Sequence, residues 1–282
     1  MISSKLVTTV TFLYLFCMVL YFNYLAFRSR KLANIAVIAT WVALLLHTTA
    51  ILWRWRESYQ LGIGHAPLSN MYESLVFFSW CITSTYLLVE SKLKSRIIGV
   101  FALPFSFLAI AYAALAPGMS ARIDPLIPAL QSNWLHAHVI TCFLSYASFA
   151  ISCGLSIMFL IKISKKEGGQ PETGIIASFP SLESLDDLIY KTIAVGFPLL
   201  TLGIITGAAW ANYAWGAYWS WDPKETWSLI TWFVYAIFLH ARFTREWRGK
   251  RIAILSLIGF GAVIFTYFGV NYVLSGLHSY TS

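Results

Sequence analysis

The sequence predicts an all-α fold: a polytopic transmembrane helical bundle of about eight spans, with an external tryptophan-rich loop between spans six and seven. Three observations carry this. Of 282 residues, 58% are hydrophobic and 11% charged, whereas about a quarter of the residues in a soluble globule are charged. The apolar residues gather in runs long enough to cross a hydrocarbon core of about 30 Å, which takes about 20 helical residues. Between the runs, Lys and Arg accumulate in alternate connections, as they do in loops on the side where the chain is made.

In order, the runs cover residues 6–27, 33–53, 71–89, 97–116, 136–161, 191–210, 226–243 and 252–274. The first has the position of a signal peptide, but it lacks a basic n-region beyond Lys5 and a small-residue cleavage site, so it reads as a retained helix. Connections after spans one, three, five and seven carry Arg28, Arg30, Lys31; Lys92, Lys94, Arg96; Lys162, Lys165, Lys166, Lys191; and Arg242, Arg245, Arg248, Lys250, Arg251. The opposite side holds Lys5, Arg54, Arg56, Arg122 and Lys224. Both termini, the tryptophan loop and the loop containing His65 are therefore expected on the lumenal or periplasmic side. The net charge of +8 is topological, and no nucleic-acid partner is expected.

No internal repeat or separate soluble domain is visible, so residues 1–282 read as a single integral membrane domain. The connection 164–190 opens on Lys165-Lys-Glu-Gly-Gly-Gln-Pro171, a flexible turn signal, and Ser184-Leu-Asp-Asp187 reads as the cap of a short helix leading into span six. Residues 116–128 contain Pro117, Pro125 and Pro128, which cannot donate backbone hydrogen bonds, and so read as an irregular loop. Cys17, Cys81, Cys142 and Cys153 all fall inside apolar runs with no Cys-x-x-Cys pair, so they read as small core residues and any thiol reduction would come from a partner.

The chemistry concentrates elsewhere. Of twelve tryptophans, Trp210, Trp215, Trp219, Trp221, Trp227 and Trp232 lie within one short stretch. Such a cluster suits a planar ligand or the membrane-water boundary. His138, at one end of span five, and His278, just beyond span eight, are expected on the same side as that cluster. Two neutral imidazoles on opposite faces of a haem make a six-coordinate iron site, and the alternative is a pair of histidines in an interfacial aromatic belt. His240 lies within span seven, where an ionisable group suggests function. His47 offers the same signal more weakly, and His136 points about 200° away from His138 on a helix. Asp222-Pro-Lys-Glu225 has the pattern of a capping box for span seven, a role compatible with ligand contact. Asn70-Met-Tyr-Glu73 repeats the pattern at span three. Arg54 and Arg56, with His65 nearby, are placed either to pair with carboxylates such as haem propionates or to snorkel at the interface.

Trp215-Gly-Ala-Tyr-Trp219-Ser-Trp221-Asp222 resembles the WWD signature of the haem-handling proteins of cytochrome c maturation. With Gly64-His-Ala-Pro-Leu-Ser-Asn-Met-Tyr-Glu-Ser74, Trp134-Leu-His-Ala-His138-Val, Phe-Leu-His240-Ala-Arg and Gly-Leu-His278-Ser-Tyr, it is most similar to the CcsA proteins of plastids, cyanobacteria and many other bacteria. The resemblance runs from about residue 45 to the end, and the chain is short for the family at its N-terminal end and in its loops. It implies a WWD haem-handling region at about 200–278, with Trp210, Trp215, Trp219, Trp221, Asp222 and Glu225 around haem b. His138 and His278 become external iron ligands, and His240 a membrane ligand paired with a partner histidine. The implied partners are a CcsB-type membrane subunit, apocytochrome c and a thiol reductant, in a plastid or cyanobacterial thylakoid membrane or a bacterial plasma membrane. No nucleophile or general base is evident, so the implied role is a subunit of a cytochrome c synthase, or haem lyase, acting mainly by orienting haem. A haem transporter or exporter without ligation is the alternative; a b-type electron carrier using His240 and His47, or a purely structural aromatic belt, competes more weakly.

Overall fold

The computed structural model describes residues 1–93, 95–169, 171 and 173–273, and all regular structure among the described residues is helical. The helices are α1 (Ile2–Phe27), α2 (Arg30–Gln60), α3 (Met71–Leu93), α4 (Ile98–Leu115), α5 (Asn133–Glu167), α6 (Leu182–Trp215), α7 (Pro223–Thr244) and α8 (Lys250–Ile264). After α8 a π-helical turn, Phe265–Gly269, leads into Val270–Val273. Helices α1 to α6 and the stretch Lys250–Tyr272 are long and apolar enough to cross a membrane. The expected span 226–243 does form a helix, α7, but it is not among those seven. Thr226, Ser228, Thr231, His240 and Arg242 interrupt its apolar run. The short helix expected before span six is instead part of α6, which starts where Ser181 Oγ accepts the N–H of Ser184 at 3.1 Å.

The chain groups into two compact units, Met1–Gln131 and Ser132–Ser282. In the first, polar side chains join helices where burial from lipid discriminates little between partners. Tyr14 Oη is 3.0 Å from His47 Nδ1, Tyr21 Oη is 2.5 Å from Tyr86 Oη, and Ser106 Oγ lies 2.6 Å from Thr83 Oγ1 and 2.9 Å from Ser79 Oγ. Glu57 on α2 accepts the Ile2 and Ser3 N–H groups at 2.7 and 3.2 Å, supplying the acceptor that the first turn of α1 lacks on its own.

In the second unit, α5 and α6 approach closely because Gly203 and Gly207 leave room for α5 side chains. A Cβ at Gly203 would lie 2.5 Å from Cys142 Sγ. Phe149 stacks on Tyr235 with ring centroids 3.6 Å apart, tying α5 to α7. At the Thr244 end of α7, Arg242 Nη1 lies 2.6 Å from Asp186 Oδ2, while Asp186 Oδ1 accepts the Gly249 N–H at 2.7 Å. That carboxylate joins the start of α6 to both flanks of the α7–α8 turn.

Candidate functional site

His138 sits on the second turn of α5, whose start is capped by Ser132. Its Nδ1 is 2.7 Å from the carbonyl of Gly203 on α6. A carbonyl only accepts, so Nδ1 carries the proton and the lone pair of the neutral ring lies on Nε2. This is the arrangement by which a backbone carbonyl orients a histidine ligand. The ring fits because position 207 is glycine: a Cβ there would lie 2.6 Å from His138 Nδ1 and 2.8 Å from Cε1. Trp210 on α6 covers one face, at a centroid distance of 5.9 Å and an interplanar angle of 30°.

The tryptophan segment is less of a loop than its sequence suggests. Trp210 and Trp215 belong to the last turns of α6, which ends at Gly216 with φ +79°, where its N–H returns to Asn212 O. Only residues 216–222 lie between α6 and α7. Trp210 is buried, and its ring centroid is 5.3 Å from that of Trp215; Trp219 meets Trp221 edge-on at 5.8 Å. Trp221 is 70% exposed and has φ +60°, a left-handed conformation that a bulky residue adopts only when its surroundings impose it. Trp219 is partly buried, and its Nε1–H has no hydrogen-bond partner among the described residues.

Two carboxylates hold this segment. The capping box expected from the sequence forms: Asp222 Oδ1 accepts the Lys224 N–H at 2.8 Å, and Glu225 Oε2 accepts from Asp222 N at 3.2 Å. Glu225 Oε2 also accepts the Ser220 N–H at 2.7 Å, and so fixes the backbone on both sides of Trp221. Lys224 turns back from this corner to place Nζ 3.5 Å from Asn271 Oδ1, and burial pushes its ammonium down to about 8. Trp227 packs on Phe265 of the π-helical turn at 4.1 Å, and Thr231 Oγ1 meets Thr266 Oγ1 at 2.9 Å.

His240 is exposed on α7, in line with the exposed Phe233 and Ile237, and Thr244 Oγ1 is 3.4 Å from its Nδ1. His278 lies outside the described residues. The structure therefore groups His138 with Trp210 and Trp215, and sets Trp219, Trp221, Asp222 and Glu225 in the adjoining corner.

In the first unit, Arg54 is 2% exposed and its guanidinium is fully engaged. Nε pairs with Glu73 Oε1 at 2.7 Å, while Nη1 and Nη2 donate to the carbonyls of Ala121 and Arg122 at 2.9 and 3.0 Å. His65 is buried with Nδ1 2.8 Å from Ala66 O and Nε2 3.1 Å from Asp124 O. Both residues thus fasten the proline-containing loop to α2 and α3. Arg56 is exposed, with its guanidinium over the Trp53 ring at 5.1 Å. The α3 cap departs from its expected form: Asn70 Oδ1 accepts from Glu73 N, but Glu73 Oε2 reaches Ser69 N instead of Asn70 N. Arg54, Glu73 and Lys224 lie in segments the sequence singles out, but the pairing of Arg54 with Glu73, the contact of Lys224 with Asn271 and the glycines facing His138 are marked by no motif. A carboxylate and an arginine each set within a predominantly apolar stretch were the available signal for the first.

Over residues 68–278 the sequence matches the family of the Cytochrome C assembly protein. It is 41% identical to the Cytochrome c biogenesis protein CcsA of Pyropia yezoensis, over 94% of this chain and 93% of that one. CcsA of Gloeobacter violaceus is 40% identical over 93% of this chain and 90% of the other. CcsA of Chlamydomonas reinhardtii is 46% identical over 85% of this chain and 66% of the other. The solved structure of Cytochrome c Heme Lyase CcmF has a similar fold, with a TM-score of 0.69 at 15% identity, covering 94% of this chain and 46% of CcmF. With its helical membrane architecture and this match over most of its length, the chain belongs to the cytochrome c assembly protein family.

Proposed function

We propose that this chain, a cytochrome c biogenesis protein by family, binds haem b as a substrate at His138 and His278 and presents it for attachment to apocytochrome c, together with a CcsB-type subunit. The observation that carries the reading is the His138 ring, oriented by the Gly203 carbonyl so that its lone pair is on Nε2, with Trp210 against its face. The tryptophan corner suits a porphyrin in its donors as well as its surface: the buried Trp219 Nε1–H can meet a propionate oxygen. Asp222 and Glu225 act by holding the corner in register. The backbone N–H groups that Asp222 Oδ1 and Glu225 Oε2 accept favour this over contact with haem.

Thioether formation adds a cysteine S–H across a haem vinyl double bond: the C–S bond forms, the proton goes to the neighbouring carbon, and no net electron transfer occurs. The thiol beside His138, that of Cys142, is buried against Nδ1, and the reacting thiols are those of the apocytochrome, so the chain acts as a synthase subunit by holding the vinyl groups at near-attack distance from reduced thiols. Arriving apocytochrome supplies its own histidine and displaces one of the two ligands. In this reading His240, exposed on α7, serves haem entering from the cytoplasmic side and is completed by a partner histidine. The tryptophan corner faces the lumen of a thylakoid or the periplasm.

The test is the absorption spectrum of the complex with its partner, for the native chain, His138→Ala and His278→Ala. A low-spin bis-histidine spectrum, weakened or altered in both variants, is the expected result. Unchanged spectra would move haem away from His138. Export without ligation would instead show net haem movement into sealed vesicles by this chain alone.

A further inference from the structure

His65 lies between α2 and α3, where Gly64 turns the chain with φ +76° and Ser58 Oγ accepts the His65 N–H at 3.0 Å. The residue is buried, and both ring nitrogens face backbone carbonyls, Nδ1 2.8 Å from Ala66 O and Nε2 3.1 Å from Asp124 O. A carbonyl only accepts, and a neutral imidazole has one N–H. Both contacts are therefore hydrogen bonds only when the ring is the doubly protonated imidazolium. Ala66 O is held in place, because it also accepts the Leu68 N–H at 2.9 Å. Asp124 O has no other donor among the described residues. The charged groups on the elements packed around the ring are engaged elsewhere. On α2, Glu57 takes the N–H groups that start α1, and the Arg56 guanidinium lies over Trp53. Arg54 of α2 pairs with Glu73 of α3 at 2.7 Å, and Arg122 with Asp124 at 3.7 Å through mostly exposed side chains. None of these carboxylates forms an ion pair with His65, so the two carbonyl dipoles answer the charge of the ring.

We propose that His65 is a proton-operated latch: charged, it ties Asp124 and the segment after it to the corner between α2 and α3, and neutral, it lets that segment go. When one proton leaves, the remaining N–H stays on Ala66 O, the nearer acceptor and the next residue in the chain. Nε2 then turns a lone pair on Asp124 O, and that carbonyl loses its donor and meets a second acceptor. Arg54 continues to hold the carbonyls of Ala121 and Arg122, so opening begins beyond residue 122. The freed residues run through the single turn Pro128–Leu130 to Ser132, the cap of α5, so proton loss slackens the approach to the helix that carries His138. The latch stands whether or not His138 binds iron. Its closed form holds one proton more than its open form, so it is complete at low pH and lost as pH rises through the histidine range.

The test uses the whole complex and two readouts. Nitrogen NMR of histidine-labelled protein reads the ring directly, and labelled glycine carbonyl assigns it, because Gly64-His65 is the only Gly-His step in the sequence. Both ring nitrogens should carry protons at about pH 5 and only one at about pH 8. Hydrogen exchange with mass spectrometry reads peptides covering 123–131, as protection factors that divide out the intrinsic pH dependence of exchange. Protection should fall by up to about tenfold per pH unit across that range, the most that one proton can supply. In His65→Gln it should not vary with pH, and peptides from α4 should show no trend in either protein. A ring whose protonation stays constant over this range overturns the proposal, and that readout needs no variant to fold. So does a ring that titrates while protection of 123–131 stays level, and so does a pH trend that survives in His65→Gln.

Discussion

Replacing Gly207 with alanine tests the seat of His138 without altering any side chain that can bind iron. The added Cβ would lie 2.6 Å from Nδ1 and 2.8 Å from Cε1 of the ring, where ordinary contact begins at 3.4 Å, so the ring must retreat by about 0.8 Å. It has little room for this, because Gly203 O holds Nδ1 at 2.7 Å and Trp210 covers a face. Overpacking costs about 1–3 kcal/mol, and losing the Gly203 hydrogen bond about 0.5–1.5 kcal/mol more. The expected loss of stability is therefore roughly 1.5–4.5 kcal/mol if α5 and α6 hold their spacing. The assay is thermal unfolding of the purified protein beside its haem spectrum, where a displaced ligand weakens the low-spin bands. Gly261→Ala is the control, since nothing lies within 4 Å of a Cβ at that position. A Gly207→Ala protein with native melting and a native spectrum would refute both the close fit and its role in orienting His138.

Other outcomes follow from the same geometry. Glu73→Gln leaves the Arg54 cation buried without its carboxylate, and should cost about 3–5 kcal/mol; limited proteolysis should then cut the 116–131 loop, whose carbonyls Arg54 holds. Asp222→Ala removes a helix cap, costing about 0.5–2 kcal/mol by thermal unfolding, with a smaller effect on haem affinity than His138→Ala. Lys224 has its folded value lowered from 10.5 to about 8, so between these values the unfolded chain binds more protons and stability should rise as pH rises from 8 to 10.5. Lys224→Met should flatten that rise, as melting curves across this range would show. His240→Ala, at an exposed position, should leave melting unchanged while reducing haem carried by the complex; an unaltered haem content would remove it from the entry route.

What sequence reading captured and missed divides along the distance between interacting residues. Spans and caps are local: an apolar run of 20 residues, or Asp-Pro-Lys-Glu before one, states its own structure, and the capping box formed as its spacing required. Helix ends were less legible. Trp215 fell in the expected loop because the apolar run was ended at Trp210, whereas the stop signal was Gly216, whose φ of +79° closes α6. The Arg54–Glu73 pair and the contact of His138 with Gly203 join residues 19 and 65 positions apart. Nothing in a linear pattern selects such partners.

The placement of His138 argues that the specificity of this site lies in the helices beneath the tryptophans as much as in the tryptophans themselves. Its ring is oriented by a backbone carbonyl and admitted by a missing Cβ, both on α6, and neither can drift as a flexible side chain can. The seven residues from 216 to 222 are likewise held at both sides of Trp221 by one carboxylate, Glu225, rooted in the first turn of α7. A left-handed Trp221 costs energy that the corner recovers only by keeping that residue exposed in one orientation. Substituting Trp221 with Gly should therefore relieve backbone strain and leave melting equal or higher, while the loss of its indole lowers haem affinity. Stability and affinity moving in opposite directions would mark Trp221 as a residue kept for its ligand; both falling together would mean the corner needs the indole for its own packing.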